Sequence, residues 1–374
     1  MHYSIHDLVR LAKRENNSKR TYLYVNPLQG KHIPTAPEDT LEMCHELAEI
    51  VNNTYPTDSL FVIGFAETAT GIAAAISSYL NNIDCYQNTT REIKEGEKYL
   101  YFTESHSHAT DQMLLSEGLK EYLEKIDRVL FIDDEVTTGS TICKLIKTIK
   151  ENYHVPDIEF SIVSILNSMT QSRKDTLKHE GIDCLYLLEM PFEYRKDSIM
   201  AIPYEDYRHT ISFTCNEVNC KKLCFFSTIN IRTVHQFEEY EKENEKFADL
   251  IQQELKNSHY HEILILGTEE FMYPALYVGS LLKKKGFADD VKMHATTRSP
   301  ILAFGGDYPL FHRYQVRSMY DINRTTYIYN LKKYDKVIII TDAQSFSDEN
   351  KDLISALIDL GNEDITLAQW KYLQ

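Results

Sequence analysis

Two tandem α/β domains with mainly parallel sheets are the architecture this sequence predicts, and three observations predict it. The chain has 374 residues, 43% of them apolar, more than one ordinary domain needs for its core. Short apolar runs alternate with amphipathic segments of helical period, the pattern of strands joined by crossover helices. That pattern then recurs in the same order in the second half of the chain.

In the first half the expected strands are Tyr22–Val25, Leu60–Ile63, Leu100–Phe102, Val129–Ile132 and Glu159–Leu166, short runs rich in aliphatic and aromatic residues. The expected helices include Leu41–Asn52, Gly71–Leu80 and Ser140–Glu151. A polar, irregular stretch, Tyr194–Lys222, reads as the passage between domains, so the domains are expected at 1–205 and 206–374. The recurrence is specific in register. Leu60-Phe-Val-Ile-Gly-Phe-Ala-Glu67 is echoed by Ile263-Leu-Ile-Leu-Gly-Thr-Glu-Glu270, and Thr89-Thr90-Arg91 by Thr296-Thr297-Arg298. Asp127-Arg-Val-Leu-Phe-Ile-Asp-Asp134 is echoed by Asp335-Lys-Val-Ile-Ile-Ile-Thr-Asp342, and Asp157-Ile158 by Asp364-Ile365. Four matches in order mark residues from about 22 to 165 and from about 223 to 370 as two copies of one fold.

Charge narrows the partners. With 40 Lys and Arg against 56 Asp and Glu, the net charge of −16 repels a nucleic-acid backbone and favours a small-molecule ligand. No apolar run reaches the roughly 18 residues that cross a bilayer, and Met-His-Tyr-Ser-Ile-His-Asp-Leu lacks the apolar core of a secretion signal, so a cytoplasmic protein with no membrane partner is expected. Seven scattered cysteines argue against a disulfide framework. Cys215, Cys220 and Cys224 have a spacing that only loosely suits zinc, and reduced, partly buried thiols are the favoured reading.

The chemistry concentrates in Val129-Leu-Phe-Ile-Asp-Asp-Glu-Val-Thr-Thr-Gly-Ser-Thr141. An apolar strand that ends in Asp133 and Asp134 and turns through Thr137, Thr138 and Gly139 into a helix gathers N–H groups and hydroxyls at the positive end of the helix dipole, a phosphate site. Ser140 and Thr141 add hydroxyl donors, and no Lys follows the glycine as in a Walker loop. The aspartates would repel the phosphate itself, so they suit sugar hydroxyls or a Mg²⁺ that the ligand brings. A sugar phosphate meets both demands. The plainer alternative is an acidic helix start capping itself.

This stretch resembles the phosphoribosyl-pyrophosphate (PRPP) signature of type I phosphoribosyltransferases, a strand followed by Asp-Asp-x-x-Thr-Thr-Gly-x-Thr. The resemblance implies that Asp133 and Asp134 are catalytic, facing the ribose hydroxyls and a Mg²⁺ cofactor, and that Thr137, Thr138, Gly139, Ser140 and Thr141 hold the 5′-phosphate. Glu135 stands where an aliphatic residue is usual. Leu23–Pro37, Gly64–Ala75 and Phe102–Gln112 are similar to an orotate-phosphoribosyltransferase-like group associated with tellurium-resistance and stress-response clusters. In that group a domain called TRSP follows, and Thr297-Arg298-Ser299-Pro300 spells those letters. The implied activity is a glycosyltransferase reaction, phosphoribosyl transfer between PRPP and an unidentified small-molecule acceptor, within nucleotide metabolism; a homodimer is left open.

A second strand-to-helix turn, through Ala66, Glu67, Thr68, Ala69, Thr70 and Gly71, makes another anion cradle, which the resemblance implies is the pyrophosphate loop. Lys31 and Arg91 are candidate counter-charges for the leaving group, or exposed surface cations. Glu104-Ser-His-Ser-His-Ala-Thr-Asp111 occupies the position of the family's mobile catalytic loop, with His106 or His108 stabilising pyrophosphate or moving a proton. A metal pair or a solvated loop are the other readings of those histidines.

The second copy departs from the first. Pro274 stands opposite Gly71, and the acid-threonine-glycine motif is replaced by Thr341-Asp342-Ala-Gln-Ser-Phe-Ser-Asp-Glu349. Carboxylates at that helix start repel phosphate. Nothing later in the chain matches Gly181–Glu189, expected as a hood over the acceptor. The second copy therefore reads as a degenerate phosphoribosyltransferase-like domain that shapes or docks the acceptor, with Arg298 and Ser299 as its candidate residues. A non-catalytic PRPP or nucleotide sensor is the rival function, since a cradle alone does not prove turnover.

Overall fold

The computed structural model describes residues 3–15, 21–102, 112–155, 157–190, 220–344 and 351–372. In chain order the elements are α1 (Ile5–Leu8), β1 (Arg10–Lys13), β2 (Tyr22–Val25), α2 (Pro37–Thr54), β3 (Leu60–Gly64), α3 (Ala69–Ser77), β4 (Ile83–Asn88), β5 (Tyr99–Tyr101), β6 (Met113–Leu115), α4 (Leu119–Leu123), β7 (Arg128–Val136), α5 (Ser140–Asn152), β8 (Glu159–Asn167), α6 (Gln171–His179) and β9 (Ile182–Glu189). They continue with β10 (Lys221–Ser227), β11 (His235–Gln236), α7 (Phe237–Glu254), β12 (Tyr260–Gly267), α8 (Tyr273–Lys284), β13 (Ala288–Ala295), β14 (Arg313–Arg317), β15 (Thr325–Tyr329), β16 (Lys336–Thr341), α9 (Asp352–Asp359) and β17 (Ile365–Tyr372).

The chain divides into two compact units that are not contiguous in sequence. The first contains Leu41–Phe192 and Ile229–Glu243; the second contains Ser4–Thr40 and Asn244–Gln374. Each unit thus takes in a segment from the opposite half of the chain. The expected boundary at 205 and 206 lies outside the described residues.

The first unit is built on a sheet of order β11-β4-β3-β7-β8-β9, parallel except where β11 meets β4. Its central strands are apolar on both faces because helices cover both, as a parallel sheet requires. On one face Phe61, Ile63, Val129, Phe131, Phe160 and Ile162 pack with Ile142, Leu145, Ile146 and Ile149, whose i, i+3, i+4, i+7 spacing is the buried stripe of α5. The second unit has the sheet order β10-β17-β16-β12-β13, all parallel.

Equivalent positions carry equivalent hydrogen bonds in the two units. Thr89 N donates to Gly64 O at 2.9 Å, and Thr296 N to Gly267 O at 3.2 Å. Thr89 Oγ1 accepts from Ala66 N at 2.8 Å, and Thr296 Oγ1 from Glu269 N at 3.0 Å. Asp127 accepts from Ser59 N at 2.8 Å, and Asp335 from Glu262 N at 2.9 Å. Both sheets also run 2-1-3-4 through the matched strands, β4-β3-β7-β8 and β13-β12-β16-β17.

Two expectations change, and a third segment proves to be a strand. Tyr22–Val25 is a strand, but it pairs antiparallel with β1 inside the second unit. The strand expected at Leu100–Phe102 is Tyr99–Tyr101, which pairs antiparallel with β6 over three residues and does not join the main sheet. The region expected as a hood, Gly181–Glu189, forms the edge strand β9, in continuous register from Phe160↔Ile182 to Asn167↔Glu189. In the second sheet β10 takes the corresponding edge beside β17, from a segment that precedes the other strands of that sheet in sequence.

Because β11 and its flanks complete the first unit, a chain of residues 1–205 should fold poorly. It loses the Asn88 N to Ile231 O bond of 3.0 Å, the Gln87 Nε2 to Arg232 O bond of 2.9 Å and the buried side chains of Phe237 and Tyr240. At about 0.5–1.5 kcal/mol per bond and about 1.5–3 per buried ring, the deficit is several kcal/mol. Thermal unfolding should place residues 1–205 at least about 10 °C below residues 1–255; equal midpoints would refute the role given to the segment.

Candidate active site

Strand β3 ends at Gly64, level with Ile132 of its parallel neighbour β7, which runs on to Val136. Their register runs to Gly64↔Ile132, and Phe65 N donates to Ile132 O at 3.0 Å. With β4 on one side of β3 and β7 on the other, this is the point where strand order reverses, the place where open α/β sheets leave a crevice at their carboxyl edge.

β7 buries Arg128 to Ile132 and then presents Asp133, Asp134 and Glu135, each half-buried. The carboxyl of Asp133 is pushed well above the usual carboxylate range, first by its shielding from water and then by the charge of Asp134 beside it. Asp134 N donates to Asp133 Oδ1 at 3.0 Å, which offsets only part of that cost.

The following turn is set by Gly139, whose φ of +65° opens α5 and which a side chain would strain; its Cβ would also come within 3.2 Å of Ile162 Cδ1. No side chain caps α5 at Gly139. Thr138, Ser140 and Thr141 are exposed and Thr137 is half-buried, with Thr138 Oγ1 and Ser140 Oγ 2.9 Å apart. Hydroxyls and helix start therefore meet at one solvent-facing point. Arg173, from α6, fixes this turn: its Nε donates to Thr138 O at 2.8 Å and its guanidinium reaches Cys143 Sγ at 3.1 Å. Sequence reasoning missed Arg173, since its nearness to the turn depends on how α6 packs.

The second cradle is pinned at several points. Gly64 admits no side chain, since a Cβ would stand 2.6 Å from Asn88 Oδ1 and 2.7 Å from Ala73 Cβ. Ala66 O accepts from Gln112 Nε2 at 2.7 Å, Thr70 Oγ1 donates to Glu67 O at 3.1 Å, and the Ala66–Glu67 peptide is cis. Glu67 and Thr70 are buried, Thr68 is half-buried, and Ala69 already begins α3. Gly71 lies inside the first turn of α3 and not in the loop before it. Arg91, half-buried, follows β4 in the same unit.

The other candidates lie elsewhere. Lys31 belongs to the second unit, fully buried, donating to Glu269 O at 2.8 Å and Thr296 O at 3.1 Å. Arg298, also in the second unit, pairs with Glu269 at 2.7 Å and Glu270 at 3.8 Å, and Arg324 meets the same Glu269 carboxylate at 3.0 Å. Ser299 donates its N–H to Thr297 Oγ1 at 3.2 Å and accepts from Tyr329 OH at 2.7 Å. Pro274 sits in the first turn of α8. His106, His108, Cys215, Phe346, Asp348 and Glu349 lie outside the described residues, while Cys220 and Cys224 are free thiols. Among the described residues no three His, Cys, Asp or Glu side chains converge as a metal cage, and no helix is long and apolar enough to cross a membrane.

Three polar residues near the end of β8 escaped the sequence reading. Ser164, Asn167 and Ser168 are each 1% exposed, and Ser164 Oγ, Asn167 Nδ2 and Ser168 Oγ have no hydrogen-bond partner among the described residues. Buried polar atoms of this kind are costly to leave unpaired. Ser164 stands beside Asp133 in the β7–β8 register. Their signal was short polar residues closing an otherwise apolar strand.

No curated protein matches the sequence closely enough to count as a relative. Among solved structures, the chain is similar to adenine phosphoribosyltransferase from Leishmania donovani, at 14% identity over 54% of this chain and 91% of that one, with a TM-score of 0.37. It is similar to adenine phosphoribosyl transferase from Trypanosoma brucei, at 12% identity over 48% and 76%, with a TM-score of 0.33. Orotate phosphoribosyltransferase from Aeropyrum pernix matches at 17% identity over 48% and 88%, with a TM-score of 0.31. The family model described as phosphoribosyl transferase matches residues 8–185, and that of the TRSP domain, described as C-terminal to it, matches residues 232–357. The chain thus carries a phosphoribosyl transferase domain over residues 8–185, followed by a TRSP domain over residues 232–357.

Proposed function

We propose that the protein is a Mg²⁺-dependent phosphoribosyltransferase that moves a phosphoribosyl unit between PRPP and a base-like acceptor, at one site per chain. The observation that supports this reading is the parallel pairing of β3 with β7 in the first unit, since Asp133 and Asp134 follow Ile132, residues 66–70 follow Gly64, and Ile132 and Gly64 are register partners. Asp133 and Asp134 accept from the ribose hydroxyls, residues 137–141 hold the 5′-phosphate, and residues 66–70 with Arg91 receive the pyrophosphate. The bond from the anomeric carbon to the pyrophosphate oxygen breaks, pyrophosphate leaves with the electron pair, and an acceptor nitrogen bonds to the carbon and gives up its proton. His106 and His108 keep their proposed role at the leaving group.

Two adjacent carboxylates with a raised Asp133 suit a hard cation held jointly by protein and ligand phosphates. Mg²⁺ bound in that way would offset the charge of the departing pyrophosphate. The unpaired donors of Asn167, Ser164 and Ser168 favour an acceptor with hydrogen-bonding edges. A cytoplasmic setting, a tellurium-resistance or stress-response context and a homodimer belong to the same proposal.

Single occupancy follows from the second unit, read as a degenerate copy. There Glu269, equivalent to Ala66, places its own carboxylate against Arg298 and Arg324 and accepts from Ser318. Asp342, equivalent to Asp134, accepts from Tyr320 OH at 2.5 Å. Side chains of the 318–324 turn thus satisfy the positions that face ligand in the first copy.

Calorimetric titration of Mg²⁺ and PRPP into the chain should give a ratio near one. Asp133→Asn with Asp134→Asn should abolish the whole signal, because each charge-assisted contact is worth about 1.5–3 kcal/mol. A binding event that survives the double substitution would overturn the single-site reading.

Asp133→Asn alone should stabilise the ligand-free protein. The folded-state pKa of Asp133 lies above its unfolded value, so between the two the folded protein holds more protons and stability falls as pH rises through that window. Removing the charge should add about 1 kcal/mol at neutral pH, seen as a melting point about 2–4 °C higher, and should flatten the acid-side pH dependence. A lower melting point at pH 7 would contradict the strain assigned to this carboxyl.

A further inference from the structure

We propose that the Ile229–Glu243 segment, which the second half of the chain contributes to the first unit, positions the pyrophosphate cradle through Tyr86; this rests on the assignment of residues 66–70 made above. The side chain of Tyr86 on β4 is fully buried. Its hydroxyl donates to Thr70 O at 2.9 Å, at the start of α3, and lies 2.6 Å from Asn88 Oδ1. Burial holds the phenol protonated far above neutral pH, so it remains a donor.

What holds Tyr86 comes from across the sequence. His235 pairs with Tyr86 in the β11–β4 ladder. Tyr240 stacks on the Tyr86 ring at 6.0 Å with an interplanar angle of 16°, and Phe237 and His235 pack against it at 5.7 and 5.9 Å. Asn88 N and Gln87 Nε2 donate to Ile231 O and Arg232 O, so the residues flanking Tyr86 are tied to the same segment. The chain of contact runs from the segment to the Tyr86 ring, from its hydroxyl to the Thr70 carbonyl, and so to the first turn of the helix whose start forms the cradle. Tyr86 is a positioning residue, and the second half of the chain has a role in the first unit that does not require a ligand site of its own.

A purely structural role would move every readout together, whereas this role acts on one end of the ligand. Tyr86→Phe removes only the hydroxyl and keeps the ring stack. With Mg²⁺ present, titration of inorganic pyrophosphate should weaken about tenfold, the size of one net hydrogen bond. Ribose 5-phosphate, read by residues 137–141, should bind within twofold of wild type. Amide hydrogen exchange over residues 67–72 should quicken in the variant while exchange in β7 and β8 stays unchanged. Tyr240→Leu, which removes the stacked ring, should shift the same two readouts in the same direction. Pyrophosphate affinity equal to wild type, or equal weakening of both probes, overturns the inference. Wild-type protein that binds ribose 5-phosphate and not pyrophosphate overturns the cradle assignment itself, and the inference with it.

Discussion

The parallel pairing of β3 with β7 is the constraint on which the rest depends. Neither strand makes a site by itself. Joined through Gly64↔Ile132, they bring a turn of hydroxyls and a pinned backbone loop to one edge of one sheet. The pairing is stabilised by Phe61, Ile63, Val129 and Phe131 on a buried face and is closed by Phe65 N on Ile132 O. A parallel ladder needs both faces covered, so α3 and α5 are forced to start where their first turns meet the strand ends.

Against that stable frame stands the unfavourable set of carboxylates on β7. Asp133, Asp134 and Glu135 follow the buried part of β7, and shielding from water together with the neighbouring Asp134 charge raises the Asp133 carboxyl above the usual range. Groups kept at such cost mark places where a ligand or cation repays the penalty. In the second unit Glu269 is paired by two arginines and Asp342 by a tyrosine hydroxyl.

Much of this was legible in the sequence because it is local. The strand β7, the turn at Gly139 and helix α5 are all encoded within Val129–Glu151, and the paired echoes at Gly64 and Gly267 fall at the ends of β3 and β12, each an inner strand of its own sheet. What escaped was long-range. Arg173 reaches Thr138 only through the packing of α6, Ser164 matters only through its register with Asp133, and Lys31 is buried in the unit opposite to its place in the chain. The exchange of Ser4–Thr40 and Ile229–Glu243 between units left no periodic signal, since a segment's hydrophobic pattern is the same whichever sheet it covers.

We propose that the first unit transfers a phosphoribosyl group and does not merely hold PRPP. It is tested most directly by following pyrophosphate release from PRPP and Mg²⁺ with fractionated cell metabolites as acceptors. Release should depend on one acceptor fraction, give a phosphoribosylated product of matching mass, and vanish in Asp133→Asn with Asp134→Asn. Tight PRPP binding without release in any fraction would contradict transfer and leave a sensor in its place.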